Sequence, residues 1–235
     1  MTQPRSHSHV DAPASASAPA DLPALPLFPL QTVLFPGGLL GLKVFEARYL
    51  DLMGHCLRTG EPFGVVCLSR GQEVQPPSSD SLHQEEPQIE RCATLARLDE
   101  VDAEQAGILQ IRCIGTQRVK LDQPWQEASG LWRADAWRVA DDDIMAPPEA
   151  LQATVQALGE AIASMREQGI EPFTLPHDMN NAGWVSNRWC EILPISLAAK
   201  QRLMELEDPL IRLRLVDEFL RNKGVVKSLK RGKDQ

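Results

Sequence analysis

The chain has 235 residues, 43% of them hydrophobic and 24% charged, the balance of a globular protein with room for one large domain or two small ones, which excludes disorder over its whole length. A formal net charge of -8 gives no electrostatic ground for nucleic acid or an anionic membrane as partner. No run of 18 apolar residues occurs, which removes a helical membrane span.

The first 21 residues, MTQPRSHSHVDAPASASAPAD, lack the apolar core of a signal peptide and read as a flexible Ala/Ser/Pro-rich tail, so a cytoplasmic location is expected. Short β-runs then dominate: PLFPL, LLGLKV, PFGVVCLSR, IERCATLARLDEV, AGILQIRCIGTQRVKL and LWRADAWRV. Within LPLFPLQTVLFPGG, Pro26 and Pro29 have no backbone N–H to give and are expected at a sheet edge or a bulge, while Pro36, Gly37 and Gly38 turn the chain. An open edge there would also allow two copies to pair. One helix interrupts the strands: Phe45, Tyr49, Leu52 and Cys56 recur at helical spacing, and Gly60 is placed to stop it. Strands of this number need a barrel or two packed sheets to bury their apolar faces. The polar, acidic, Pro-rich stretch over residues 71–88 reads as a surface loop or a binding loop.

After Asp141–Asp143 and the Pro147-Pro148 pair the period turns helical. The segment ALQATVQALGEAIASMREQG closes on Gly169, and NNAGWVSNRWCEIL sets Ala182, Val185, Trp189 and Leu193 on one stripe. Ser196 and Asp208 are placed as caps of two further helices, the second opening on Pro209 and ending at Gly224. The expected organisation is α+β: a tail over 1–21, a β-rich barrel domain over 22–143, a small α-helical bundle over 144–224 and a basic flexible tail over 225–235.

Five dispersed cysteines, Cys56, Cys67, Cys92, Cys113 and Cys190, include no C-x-x-C pair, and His7, His9, His55, His83 and His177 complete no zinc spacing. Buried free thiols in a reducing compartment, with no metal and no cofactor, are the expectation.

The stretch LPLFPLQTVLFPGGLLGLKVFEARYLDL resembles the start of the substrate-binding amino-terminal domain of the Lon protease family, through Pro26, Phe28, Pro29, Leu30, Val33, Phe35, Pro36, Gly37, Leu42, Phe45, Glu46, Arg48 and Tyr49. The likeness continues through Gly115 and Arg118 and through LPISLAAKQRLMELEDPLIRLRLVDEFL, and so covers about Leu22 to Leu220. It departs at Arg91-Cys92-Ala93-Thr94, where the family has Val-Gly-Thr. The resemblance implies a PUA-like pseudo-barrel followed by a helical bundle, and the capture of polypeptide. A full Lon protease adds an ATPase module and a serine-lysine peptidase domain. This sequence has no G-x-x-x-x-G-K-[ST], since Gly232-Lys233 is followed by Asp234. The expectation is a stand-alone binding module without ATPase or protease activity of its own.

Such a module needs an apolar groove or an exposed sheet edge to receive unfolded or partly folded polypeptide. Phe45, Tyr49, Trp184 and Trp189 are the candidates for its lining at the junction of barrel and bundle, with core packing as the competing role. Glu46 and Arg48 either contact the ligand or pair to hold the corner between strand and helix. A regulatory or adaptor protein that binds a folded partner is the alternative. An enzyme would turn on His177 beside Asp178 or His55 beside Cys56, and neither pair has an orienting third group legible in the sequence. RNA binding, known among PUA-like barrels, is opposed by the acidic balance.

Overall fold

A computed structural model describes residues 19–70 and 88–226, with the side chains of all but Arg70, Glu104 and Gln105. Nearly all of the expected amino-terminal tail, the loop over 71–88 except Gln88, and residues 227–235 of the basic tail lie outside the described residues. The described chain runs β1 (Leu22–Leu30), β2 (Leu39–Val44), α1 (Ala47–Thr59), β3 (Phe63–Arg70), β4 (Gln88–Gln105), β5 (Ile108–Gln126) and β6 (Trp132–Arg138). A short 3-10 turn, Glu149–Leu151, then leads into α2 (Gln152–Glu167), α3 (Ala182–Ile192), α4 (Leu197–Glu205) and α5 (Pro209–Asn222). The α+β expectation holds, with every β-run and helix in its place.

The sheet order is β2-β5-β4-β3-β1-β6, and β5 pairs with β6 as well. Five strands therefore close on themselves, β5-β4-β3-β1-β6 and back to β5, with β2 attached outside the ring. The long β5 makes this possible: its first half lies along β2 and its second half along β6, with β4 on the other side. The change of partner falls at Gly115, where a Cβ would collide with the Phe35 carbonyl oxygen and lie 2.9 Å from Leu34 Cγ. Only glycine lets the turn after β1 approach so closely.

This closure corrects the edge expected from the prolines. β1 is an interior strand, parallel to β3 and antiparallel to β6. Its two ladders are staggered: Pro26 is registered with Arg133 of β6, Pro29 with Val66 of β3, and Leu27 with both neighbours. Each proline thus has a ladder partner on one side alone, which is what a residue without an N–H tolerates. A third, Pro23, falls in the register shift between Leu22 and Leu25, beside Ala24 at φ 50. The outer edge belongs to β2, which pairs with β5 alone among the described residues.

Barrel and bundle share one core. Val33, Phe35, Cys67 and Cys92 from the barrel pack with Leu158, Val185, Trp189, Leu213 and Leu220 from the helices. A second cluster, with Phe28, Tyr49, Met53 and Phe63, lies under α1. The helices begin at side-chain caps: Asn181 accepts from the Gly183 and Trp184 N–H groups, Ser196 from Ala199, and Asp208 from Leu210 and Ile211. All five cysteines are free and buried.

Candidate functional site

The corner between β2 and α1 is held from within. Glu46 stands at the N-cap of α1 with no side-chain capping bond, because its carboxylate receives Arg48 Nη2 at 2.7 Å. Arg48 Nη1 donates to the Gly130 carbonyl at 2.9 Å, which ties α1 to the turn between β5 and β6. The same guanidinium lies 4.7 Å from the Tyr49 ring centre, and that ring stacks on Phe28 at 4.0 Å. Of the four residues expected here, Tyr49 is a core residue at 3% exposure, and Phe45 stands out at 53%.

The junction of barrel and bundle is built on three buried arginines. Arg118 of β5, 3% exposed, donates Nη1 to the carbonyls of Met204 (3.2 Å) and Leu206 (2.6 Å) and Nη2 to Asp142 Oδ1 (2.7 Å). Arg212 of α5 meets the same carboxylate, Nη1 to Oδ2 at 2.6 Å, and donates to the carbonyls of Leu203 and Leu206 and to Asn187 Oδ1. Two cations therefore satisfy the last carbonyls of α4, where helix geometry leaves acceptors unpaired and the dipole is negative. One carboxylate from the segment after β6 joins them. Arg188 of α3 donates to the carbonyls of Pro36 and Gly37 and to Glu191 Oε1 at 2.8 Å, which fastens the bundle to the turn after β1.

Two clefts open at this junction, one on each side of Arg118. The first, of about 400 Å³, has Cys92, Leu121 and Val139 on its floor and Arg91, Lys120, Glu205 and Glu207 around its rim. Lys120 Nζ and Glu207 Oε1 pair across it at 2.9 Å, both well exposed. Burial pushes the Cys92 thiol up to about 11, so it presents a protonated, apolar surface rather than a nucleophile. The second cleft, of about 370 Å³, is lined by Pro36, Asp141, Asn181 and Trp184 among others. Trp184 is half-buried, its ring edge-on to Phe173 at 6.0 Å and tilted against His177 at 5.4 Å.

The candidate lining residues are thus divided. Trp184 lines a junction cleft, whereas Trp189 is buried with its Nε1 donating to the Thr154 carbonyl at 3.0 Å. Tyr49 and Trp189 cannot line an open groove, because each completes a packed core. Phe45 is exposed, but at the end of β2 and away from both junction clefts. His177 sits in the aromatic group with Phe173 and Trp184, and its side chain has no hydrogen bond or ion pair among the described residues. His55 pairs with Glu61 at 2.8 Å on the surface, while the Cys56 thiol turns into the core, where burial pushes it up to about 11. Among the described residues no group of three His, Cys, Asp or Glu could hold a metal, and no helix is long and apolar enough to cross a membrane. Arg188 and Arg212, which make the junction, stand in apolar helical stripes; an arginine in such a position was the available signal.

The comparisons with known proteins agree with this architecture. The crystal structure of a Lon N-terminal domain protein from Xanthomonas campestris superposes with a TM-score of 0.65 and 27% identity, over 84% of this chain and 99% of that one. The N terminal domain of Mycobacterium avium complex Lon protease, 11% identical with a TM-score of 0.53 over 83% and 97% of the two chains, shares the fold. Lon protease 2 of Myxococcus xanthus is 26% identical over 213 residues, 89% of this chain and 25% of that protein. The Lon protease of Anaeromyxobacter dehalogenans (strain 2CP-C) is also 26% identical, and this chain spans 24% of its length, so about a quarter of each curated relative is matched. The family model of the ATP-dependent protease La (LON) substrate-binding domain matches residues 24–222, and the chain belongs to that family.

Proposed function

We propose that this chain is a binding module that captures unfolded or partly folded polypeptide at the junction of barrel and bundle, in the cytoplasm, with no ATPase or peptidase chemistry of its own. One observation carries the site: a cleft of about 400 Å³ floored by Cys92, Leu121 and Val139 opens beside Arg118. An apolar floor with a charged rim suits the insertion of an aliphatic or aromatic side chain from an extended segment. Because both halves supply its walls and Arg118 locks them together, the cleft is pre-formed and costs little ordering on binding. The rim pair Lys120–Glu207 is solvent-exposed and can open without a large loss.

The test is anisotropy titration of a labelled, permanently unfolded polypeptide without nucleotide. Glu207→Trp, which fills the mouth of the cleft from an exposed position, is expected to weaken binding by about tenfold. Unchanged affinity would remove this cleft from the account. A second mode, pairing with a folded partner or another copy, is favoured by β2, whose outer edge has no ladder partner among the described residues and ends beside the exposed Phe45. Phe45→Asp separates the two modes, since it would abolish edge pairing and leave polypeptide capture intact.

A further inference from the structure

We propose that the second junction cleft, beside Trp184, receives a basic side chain, lysine or arginine, of the captured polypeptide, with Asp141 as its counter-charge; this rests on the capture function above. The polar groups lining the cleft are nearly all committed. Thr116 Oγ1 donates to the Leu95 carbonyl at 3.1 Å and Gln117 Nε2 to the Val139 carbonyl at 3.0 Å. Asn181 Oδ1 caps α3, Asn187 Oδ1 accepts from Arg212, and Asp142 is shared by Arg118 and Arg212. The one cation of the lining, Arg118, is 3% exposed, and its guanidinium is taken up by Asp142 and the carbonyls of Ala140, Met204 and Leu206. Asp141 differs: it is exposed and has no hydrogen bond or ion pair among the described residues.

An uncommitted carboxylate beside an aromatic wall selects for a side chain that is apolar along its length and cationic at its tip. Lysine and arginine have that form, with the methylene stem lying on the indole and the head at the carboxylate. Phe173 and His177 pack against the Trp184 ring, and the Arg188 guanidinium, paired with Glu191, lies 5.9 Å from its centre. A glutamate would meet Asp141 as a like charge, and a leucine would leave the carboxylate without a partner. With the apolar-floored cleft just across Arg118, the favoured substrate is a segment carrying an apolar residue close to a basic one. The formal net charge of -8 adds to the attraction at long range.

Three labelled peptides that differ at one central position, Lys, Gln or Glu, in an otherwise constant apolar sequence are titrated into the full chain at low ionic strength. The Lys peptide is expected to bind about fivefold tighter than the Gln peptide, a preference that fades with salt as expected of an exposed pair. Asp141→Asn should erase that preference, bringing the Lys and Gln peptides to equal affinity, and Asp141→Lys should transfer it to the Glu peptide. If the Gln peptide binds but the Lys preference is absent, or survives Asp141→Asn, the basic subsite is refuted and capture stands. If none of the peptides binds the wild-type chain, capture itself fails and takes the subsite with it.

Discussion

Arg188 Nη2 lies 2.8 Å from the carbonyl oxygen of Pro36, so a helix of the bundle holds the turn that leaves the first barrel strand. The Pro36-Gly37 pair, read in sequence as a turn, is also a docking point. Its carbonyls point at a guanidinium that is 1% exposed and has Glu191 as its counter-ion. Burying an arginine is tolerable because the acceptors are fixed backbone groups and a carboxylate, which match its planar fork.

Replacing that arginine is therefore expected to loosen the two halves. Arg188→Met keeps the apolar stem but leaves two carbonyls and the Glu191 carboxylate without their donor. Removing one partner from a buried charged network costs about 3 kcal/mol or more. Urea unfolding should show that loss, with Arg188→Lys in between, since a single ammonium cannot span both carbonyls and the carboxylate. A change below about 1 kcal/mol would mean that the contact is incidental.

Asp142 offers a sharper case, because it serves two cations at once. Its oxygens lie 2.7 Å from Arg118 Nη2 and 2.6 Å from Arg212 Nη1, and both arginines are buried. Asp142→Ala strands two like charges beside each other, so the expected loss is about 3 to 5 kcal/mol. Asp142→Asn retains an acceptor and should lose less. The double variant Arg212→Met with Asp142→Ala should be more stable than the additive sum of the two single changes; additivity in such a cycle would deny the coupling.

Much of the architecture is legible in the sequence, for identifiable reasons. The six β-runs are delimited by Gly and Pro, and the caps Ser196 and Asp208 act through local hydrogen bonds that need no tertiary partner. Closure of the barrel is not local. That β5 exchanges β2 for β6 along its length, and that β1 lies between β3 and β6, depends on pairings between distant segments. Pro26 and Pro29, expected at an edge or a bulge, are instead accommodated inside the ring by pairing on one side alone, and the register shift falls earlier, between Leu22 and Leu25. At the site, a stripe carrying Tyr49 or Trp189 has the same periodicity whether it faces a groove or a core, and the structure puts both in the core. Trp184, one position off the stripe of Val185 and Trp189, is the aromatic residue left to face the cleft.

Glu191 should give the fold a pH dependence of definite sign. Burial pushes its carboxyl up to about 7 from an ordinary 4.5, against the opposing attraction of Arg188 and Lys200. Below about pH 4.5 the group is protonated in both folded and unfolded chains and contributes no penalty. Between that value and about 7 the unfolded chain releases the proton while the folded chain retains it, so stability falls as pH rises. Above about 7 the loss is complete, at most about 3 kcal/mol by the pKa-to-energy conversion. Glu191→Gln removes the titration while keeping an acceptor for Arg188, so the stability of the variant relative to wild type should rise steadily from pH 5 to pH 7.5 and then level off. Chemical unfolding of both proteins across that range measures it directly: parallel curves would show that Glu191 is ionised throughout and that Arg188 has fully compensated its burial.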